Sequence, residues 1–130
     1  MDEQPTAVVR FLEAVQTATI DRCDAWAPDA VLDATVPQWR FHQHGAEAIR
    51  ATYRHWFADP SRFEELQRHP VPGGEVVRYL LACEENGVPH AAHHVHLLTV
   101  EEDRIATDLV MCGGRWPAAL LAEMEAADAH

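Results

Sequence analysis

A β-hairpin signal near the middle of the chain constrains the fold more than any other feature. Asn86-Gly87 is flanked on both sides by alternating side chains, and this dipeptide favours a type I′ turn because both of its residues tolerate φ > 0. A second polar turn at residues 101–104 separates two further runs rich in Val, Leu, Thr and Ile. Residues 78–115 therefore predict three consecutive antiparallel strands whose side chains alternate between two faces.

The hairpin turn also sets a register. With this turn at the tip, Tyr79 lies opposite His94. If the second turn has two or four residues, Leu97 lies opposite Asp108. A three-residue turn or a β-bulge would shift the last strand by one residue and exchange its two faces.

Three polar side chains share one face in this register, among small and apolar residues: Arg78, His93 and Asp108. Such a face is typical of a pocket wall. We predict that Asp108 polarises His93 or takes a proton from it, giving a general base able to enolise a carbonyl compound, while Arg78 orients the substrate or stabilises an oxyanion. The alternative is a buried Arg78–Asp108 ion pair of structural value beside an inert His93.

The histidines of the other face have two interpretations. With Glu101, they imitate the ligand spacing of a cupin metal site: His90, His94 and His96. The chain begins with helices rather than a barrel, so we predict no metal and no cofactor. The second interpretation is a dimer surface, because aromatic and Met side chains are enriched at interfaces. Its residues are Tyr79, His94, His96, Leu98 and Met111.

The flanking segments predict an α+β fold. Apolar periodicity and stop signals place the helices and strands, and the antiparallel sheet is expected to curl around the N-terminal helices and leave a central pocket. The predicted elements are a helix near 5–15, a short helix ended by Pro28, a strand at 30–36, a loop at 38–45, a helix from Gly45 to Asp59, a strand at 63–69 and a helical tail at 117–130.

Aromatic and imidazole side chains are candidates for ligand contacts. Those in the predicted loop are favoured because loops often carry function, whereas Tyr53 and Trp56 have helical spacing that fits core packing equally well. The predicted substrate-binding residues are Trp26, Trp39, His42, His44, Tyr53, Trp56, Val95, Leu97, Val110 and Cys112.

Composition excludes several classes of partner. The net charge of −11 argues against nucleic acid and anionic membranes, which need a basic face. Three widely spaced cysteines give no disulfide framework and fit a reducing cytoplasm. No apolar run approaches the ~20 residues that span a bilayer. Residues 1–130 are expected to form a single cytoplasmic domain.

Several segments together resemble the nuclear-transport-factor-2-like (NTF2-like) superfamily and its SnoaL-like polyketide cyclases. They are VVRFLEAV, WAPDAVLDATVP, HGAEAIRATYRHWF, GGEVVRYLL and EEDRIATDLV. The resemblance covers residues 6–115 and implies a cone-shaped, curved sheet, a central apolar pocket and a homodimer packed through the sheet. It does not imply one reaction, and our leading hypothesis is an enzyme of the SnoaL-like type that performs cofactor-free cyclisation, isomerisation or dehydration of an apolar cyclic or polyketide-like compound. The fold also hosts noncatalytic binding and assembly proteins, which are the alternative.

The chain departs from the steroid isomerases of this superfamily. Their catalytic base aligns near Val36 or Pro37 and their acidic hydrogen-bond donor near Val95, so neither acid is present. SnoaL-like cyclases use a His and an Asp on the later strands, and the resemblance assigns these roles to His93 and Asp108.

Overall fold

A computed structural model describes residues 6–129, which form three α-helices, a 3-10 turn and a six-stranded sheet. The helices are α1 (Ala7–Thr17), α2 (Ala46–Trp56) and α3 (Ala118–Asp128). The strands are β1 (Trp26–Val36), β2 (Trp39–His44), β3 (Ser61–Val71), β4 (Gly74–Glu85), β5 (Val88–Glu101) and β6 (Arg104–Pro117). The strand order is β2-β1-β6-β5-β4-β3.

The predicted α+β class is confirmed: helices pack against a curved, open sheet. The sheet is mixed rather than purely antiparallel, because β1 runs parallel to β6. The apolar stripe of α1, which includes Phe11 and Val15, is buried against the sheet, and α2 contributes Ile49 and Tyr53 to the same core. The buried side chains of α1, α2 and the sheet form one hydrophobic cluster.

The β4–β5 hairpin has the predicted register. Asn86 and Gly87 adopt φ of 52° and 79°, as a type I′ turn requires, and Tyr79 pairs with His94. The sheet face covered by α1 and α2 is called the inner face below. Its buried residues on β4, β5 and β6 include Val77, Tyr79, Leu81, His94, His96, Leu98, Asp108 and Val110. The opposite side is the outer face.

The register of β6 differs from the prediction. Val100 pairs with Ile105, but Thr99 pairs with Thr107, so Ala106 is an extra residue that forms a β-bulge. Beyond the bulge, Asp108 lies opposite Leu98 rather than Leu97. Because side chains alternate along a strand, this one-residue shift moves Asp108 to the inner face.

Three element boundaries also differ from the prediction. The expected second helix is a 3-10 turn, Ile20–Arg22, and β1 begins at Trp26, earlier than expected. Pro28 lies in the stretch of β1 where pairing with β6 is interrupted, which explains how a strand accommodates a proline. The predicted loop at 38–45 is mostly β2, because Gln38 adopts φ of 64° and closes a tight turn from β1. No helix within residues 6–129 is long and apolar enough to cross a membrane.

Candidate functional site

A chain of hydrogen bonds links five side chains on the buried inner face. The Tyr53 hydroxyl lies 2.7 Å from Asp108 Oδ2, and His96 Nδ1 lies 2.9 Å from Asp108 Oδ1. The Tyr79 hydroxyl is 2.9 Å from both His96 Nε2 and His94 Nδ1. The order is therefore Tyr53, Asp108, His96, Tyr79, His94, and these residues are called the polar chain below.

Local structure accounts for this assembly. His94 and His96 are two residues apart on β5, so they point to the same face. The hairpin register brings Tyr79 beside them, and the β6 bulge turns Asp108 towards them. Tyr53 reaches Asp108 from the apolar stripe of α2.

Aromatic rings surround the polar chain. Phe11 packs edge-on against His96 with ring centroids 5.2 Å apart, while Trp56 and Phe57 lie 5.5 and 5.8 Å from His94. His94, His96 and Asp108 are at most 2% exposed. Low polarity strengthens hydrogen bonds and makes an unpaired polar group costly, so the polar chain has to satisfy itself internally.

If Asp108 carries a negative charge and each histidine carries one proton, the hydrogen bonds fit one arrangement of protons. The carboxylate accepts from the Tyr53 hydroxyl and from His96 Nδ1–H. Neutral His96 then accepts at Nε2 from the Tyr79 hydroxyl, whose oxygen accepts from His94 Nδ1–H. This leaves His94 Nε2 as an acceptor at the end of the chain, with no hydrogen-bond partner among residues 6–129.

The titration of these groups follows from burial. Burial, together with the neighbouring His96 and His93, lowers the pKa of His94 from 6.5 to about 3. Burial and the negative charge of Asp108 raise the pKa of Tyr53 and Tyr79 well above 10. Near neutral pH, His94 is therefore an uncharged imidazole and both phenols keep their protons.

The predicted pairing of His93 with Asp108 is wrong. His93 lies on the outer face, where its Nε2 is 3.1 Å from Nη1 of Arg78. The alternative Arg78–Asp108 ion pair is also wrong, because the sheet separates these residues. The cause is the bulge at Ala106, which the sequence left open as a possibility.

The predicted substrate-binding residues divide between three places. On the inner-face side, Trp26 and Val110 are buried with Tyr53, while Trp56 is half-buried. Cys112, also half-buried, pairs with His94 across β5 and β6. Val95 and Leu97 lie on the outer face, 37% and 43% exposed. The remaining three lie on β2 and are exposed: Trp39, His42 and His44.

The predicted dimer surface is also corrected. Four of its five residues are buried in the monomer core, at 2% exposure or less: Tyr79, His94, His96 and Leu98. Only Met111 is exposed, at 57%. The residues of the metal interpretation are in different surroundings: His94 and His96 are buried on the inner face, whereas His90 lies near the hairpin end, 3.7 Å from Glu85. Within the described residues, no three His, Cys, Asp or Glu side chains are arranged to hold a metal.

Sequence reasoning missed Tyr79, His94 and His96 as site residues and assigned them to a dimer surface instead. A signal was present, because the hairpin register already placed Tyr79 opposite His94 and beside His96. Trp26 Nε1 was not foreseen either: this buried donor has no hydrogen-bond partner among the described residues.

Comparison with known families places this fold. Residues 8–112 match the model of the SnoaL-like domain. The chain belongs to the SnoaL-like family. No curated protein matches it. The resemblance drawn from the sequence is thereby confirmed at the level of the SnoaL-like, NTF2-like domain.

Solved structures share the SnoaL-like fold at low identity. An NTF2-like protein of unknown function from Mesorhizobium loti is 17% identical, covering 88% of this chain and 98% of that one, with a TM-score of 0.65. An NTF2-like protein of unknown function from Burkholderia xenovorans is 17% identical over 82% and 80%, with a TM-score of 0.62.

A third solved structure is a hypothetical protein from Catenulispora acidiphila with a ketosteroid isomerase-like fold, in complex with trimethylamine. It is 14% identical, covering 83% of this SnoaL-like chain and 85% of that one, with a TM-score of 0.61. At this identity the likeness establishes the fold and leaves the chemistry to the residues of this chain.

Proposed function

We propose that this chain is a SnoaL-like enzyme that performs cofactor-free acid/base chemistry on an apolar, cyclic or polyketide-like small molecule. The reaction class is cyclisation, isomerisation or dehydration through an enol or enolate. One observation carries the proposal: a hydrogen-bonded chain of ionisable side chains runs through an apolar core and ends in an unoccupied acceptor, His94 Nε2.

The polar chain offers a way around the weak basicity of His94. A histidine whose pKa is about 3 holds a proton poorly by itself. When Nε2 takes a proton from a substrate C–H, the proton on Nδ1 can pass to Tyr79, and the Tyr79 hydroxyl proton can pass to His96 Nε2.

The positive charge then rests on His96, beside the carboxylate of Asp108 at 2.9 Å. A nearby opposite charge stabilises an imidazolium. Reversal of the relay returns the proton to another substrate atom, which completes an isomerisation or provides the acid step of a dehydration. Tyr53 positions Asp108 through its hydroxyl and touches no reacting atom.

Access to His94 requires a side chain to move. The Trp56 ring packs on His94 and is itself half-buried. Movement of this ring would therefore open a path from solvent to the polar chain. The aromatic surroundings select an apolar ring system as the ligand.

Deuterium exchange tests the proposal directly. The protein is incubated in D2O with enolisable cyclic ketones such as 2-tetralone, and α-deuteration is followed by NMR. We expect exchange above the buffer rate, lost in His94→Gln and retained in the matched His93→Gln variant. Exchange equal to buffer for the whole panel, or equal rates in both variants, would contradict the proposal. Circular dichroism confirms that each variant is folded.

A noncatalytic binding protein is the second candidate, favoured by the burial of the polar chain. His94, His96 and Asp108 are at most 2% exposed. In this second candidate, the polar chain serves only to hold α2 against the sheet. Trp56→Ala separates the candidates. If the protein is an enzyme, removal of the Trp56 ring raises the deuterium-exchange rate or changes the KM for the ketone. If it is a binding protein, the same change alters the affinity for the ketone and leaves deuterium exchange at the buffer rate.

We also propose that two copies pair through the outer face. Val95 pairs with Met111 across neighbouring strands, and Leu97 with Leu109. Three of these side chains are exposed and Leu109 is half-buried, so together they form one apolar patch. Leu97→Asp should yield a monomer in sedimentation, at 14.6 kDa. The control Val88→Asp, at a 48% exposed hairpin position, should not change the mass. Equal masses for Leu97→Asp and wild type would contradict this interface.

The three cysteines are free, and their reduced state fits the cytoplasmic location that we propose. Cell fractionation tests this location.

A further inference from the structure

A surface cavity lies away from the polar chain. It has a volume of about 1020 Å³ and is bounded by the start of β3, the end of β4, the start of β5 and α3. None of the residues of the polar chain lines it. Ligand-binding clefts typically have volumes of about 300–1,000 Å³, so the cavity can hold a small organic molecule.

The cavity has an apolar side. Leu80 and Ala82 of β4 and Ala91 of β5 line it, and α3 adds Ala118 and Leu121. None of the residues of α3 is buried. An apolar molecule between α3 and the sheet would therefore cover surface that this helix leaves open.

The cavity rim carries unbalanced negative charge. Arg62, the only Lys or Arg in the lining, is paired with Glu64 at 2.8 Å. Three other lining acids have no ion pair among residues 6–129: Asp59, Glu84 and Glu125.

Neighbouring cations do not offset this charge. Arg115 is paired with Glu85, and Glu85 also lies 3.7 Å from the lining residue His90. Arg78 lies 3.7 Å from the fifth lining acid, Glu65. The uncompensated acids therefore face solvent at the mouth of an apolar cleft.

We propose that this cavity binds an organic cation with an apolar body, such as an alkyl or aryl amine. The ammonium lies among Asp59, Glu84 and Glu125, and the apolar body lies against Leu80 and Leu121. Charge complementarity selects this occupant. An anionic or uncharged occupant has no positive charge to pair with the three uncompensated acids.

Two dansyl probes with the same body and opposite charge provide the test. Dansylcadaverine ends in an ammonium, whereas dansyl-6-aminohexanoate ends in a carboxylate. Dansyl fluorescence increases in an apolar site, so titration of the full chain gives both dissociation constants. We expect dansylcadaverine to bind more tightly, and its affinity to fall with added salt because the rim is exposed.

Matched variants locate the site. Asp59→Asn/Glu84→Gln/Glu125→Gln should weaken dansylcadaverine binding about 5- to 30-fold, since three partly exposed charge interactions are lost. The control Glu13→Gln/Glu101→Gln/Glu123→Gln removes the same charge from unpaired acids that do not line the cavity and should leave binding within about twofold. Glu123 lies on the same helix as Glu125.

A second variant tests the apolar part. Ala82→Phe fills the cavity without changing its charge and should weaken both probes. Equal affinity for the two probes, no binding of dansylcadaverine at about 1 mM, or equal losses in the lining and control triple variants would each overturn the proposal. The outcome does not depend on the exchange experiment at His94, because the two residue sets are separate.

Discussion

Two histidines on β5 show how strongly the face of a strand decides how much a side-chain hydrogen bond contributes to stability. His96 lies 2.9 Å from Asp108 on the inner face, and both side chains are 0% exposed. His93, three residues earlier, lies 3.1 Å from Arg78 on the outer face, where the Arg78 side chain is 30% exposed. The distances are similar, but the surroundings differ.

Water explains the difference. On the outer face, solvent screens the charge of Arg78 and can replace its hydrogen bond, so the pair contributes little. On the inner face no water competes, and loss of one partner leaves the other polar atom unsatisfied. The two distances therefore do not show which pair stabilises the fold; the face of the sheet on which each pair lies does.

The largest effect is expected for Asp108→Ala. It leaves the Tyr53 hydroxyl and His96 Nδ1–H without acceptors in an apolar core, which should lower the free energy of unfolding by about 3–5 kcal/mol. Urea denaturation measures this loss. Asp33→Ala is the control, since its partner Arg40 is 61% exposed, and it should cost about 1 kcal/mol or less. Similar losses in the two variants would remove the contrast between the faces.

A pH effect of the next size is expected from His94. Its pKa is lowered from 6.5 to about 3 by burial, so the unfolded chain takes up the proton first. The contribution of His94 is complete above pH 6.5 and is lost as pH falls towards 3. About 3 kcal/mol should disappear between pH 6.5 and 4.

Denaturant titrations at several pH values measure this slope, and the difference between variants isolates it from the carboxylates. His94→Gln should flatten the curve relative to wild type, whereas His93→Gln should preserve it. An unchanged slope in His94→Gln would show that His94 does not stay neutral in the folded protein.

Tyr79→Phe sharpens the comparison within the inner face. The change leaves His96 Nε2 and His94 Nδ1 without their shared partner, and should cost about 2 kcal/mol. Tyr53→Phe removes a single hydrogen bond and should cost less. The imidazole NMR signals of His94 and His96 should both move in Tyr79→Phe. If only the His94 signal moves, the polar chain is not continuous.

The smallest effect is expected for Arg78→Met. The apolar stem is kept while the exposed guanidinium contact with His93 is lost, so stability should change by less than about 1 kcal/mol. Thermal unfolding against wild type measures it. The comparison is made at a protein concentration at which the wild type is monomeric, so that it does not depend on the proposed dimer. A loss as large as that of Tyr79→Phe would contradict the contrast between the two faces.

Local sequence signals were sufficient for much of the fold. The apolar stripe that includes Phe11 predicted α1, and that of Ile49 and Tyr53 predicted α2. Asn86-Gly87 predicted both the β4–β5 turn and its register, because a type I′ turn is specified by the two residues that form it. These features depend on neighbours in sequence, so sequence reveals them.

The candidate site depended on more than local signals. The sequence predicted Asp108 as an acid of the candidate site with His93 as its partner, whereas in the structure its histidine partner is His96. Tyr53 was identified as a possible contact, without its role as a donor to Asp108.

The tertiary structure decided the site through one residue. Nothing in the local sequence at Ala106 demands a bulge, but without it Asp108 would point to the outer face and Val110 would leave the core. Packing of β6 between β1 and β5 selects the register that buries Ile105 and Val110. The sequence predicted five of the six strands, and the burial of their apolar side chains against the helices determined which way Asp108 points.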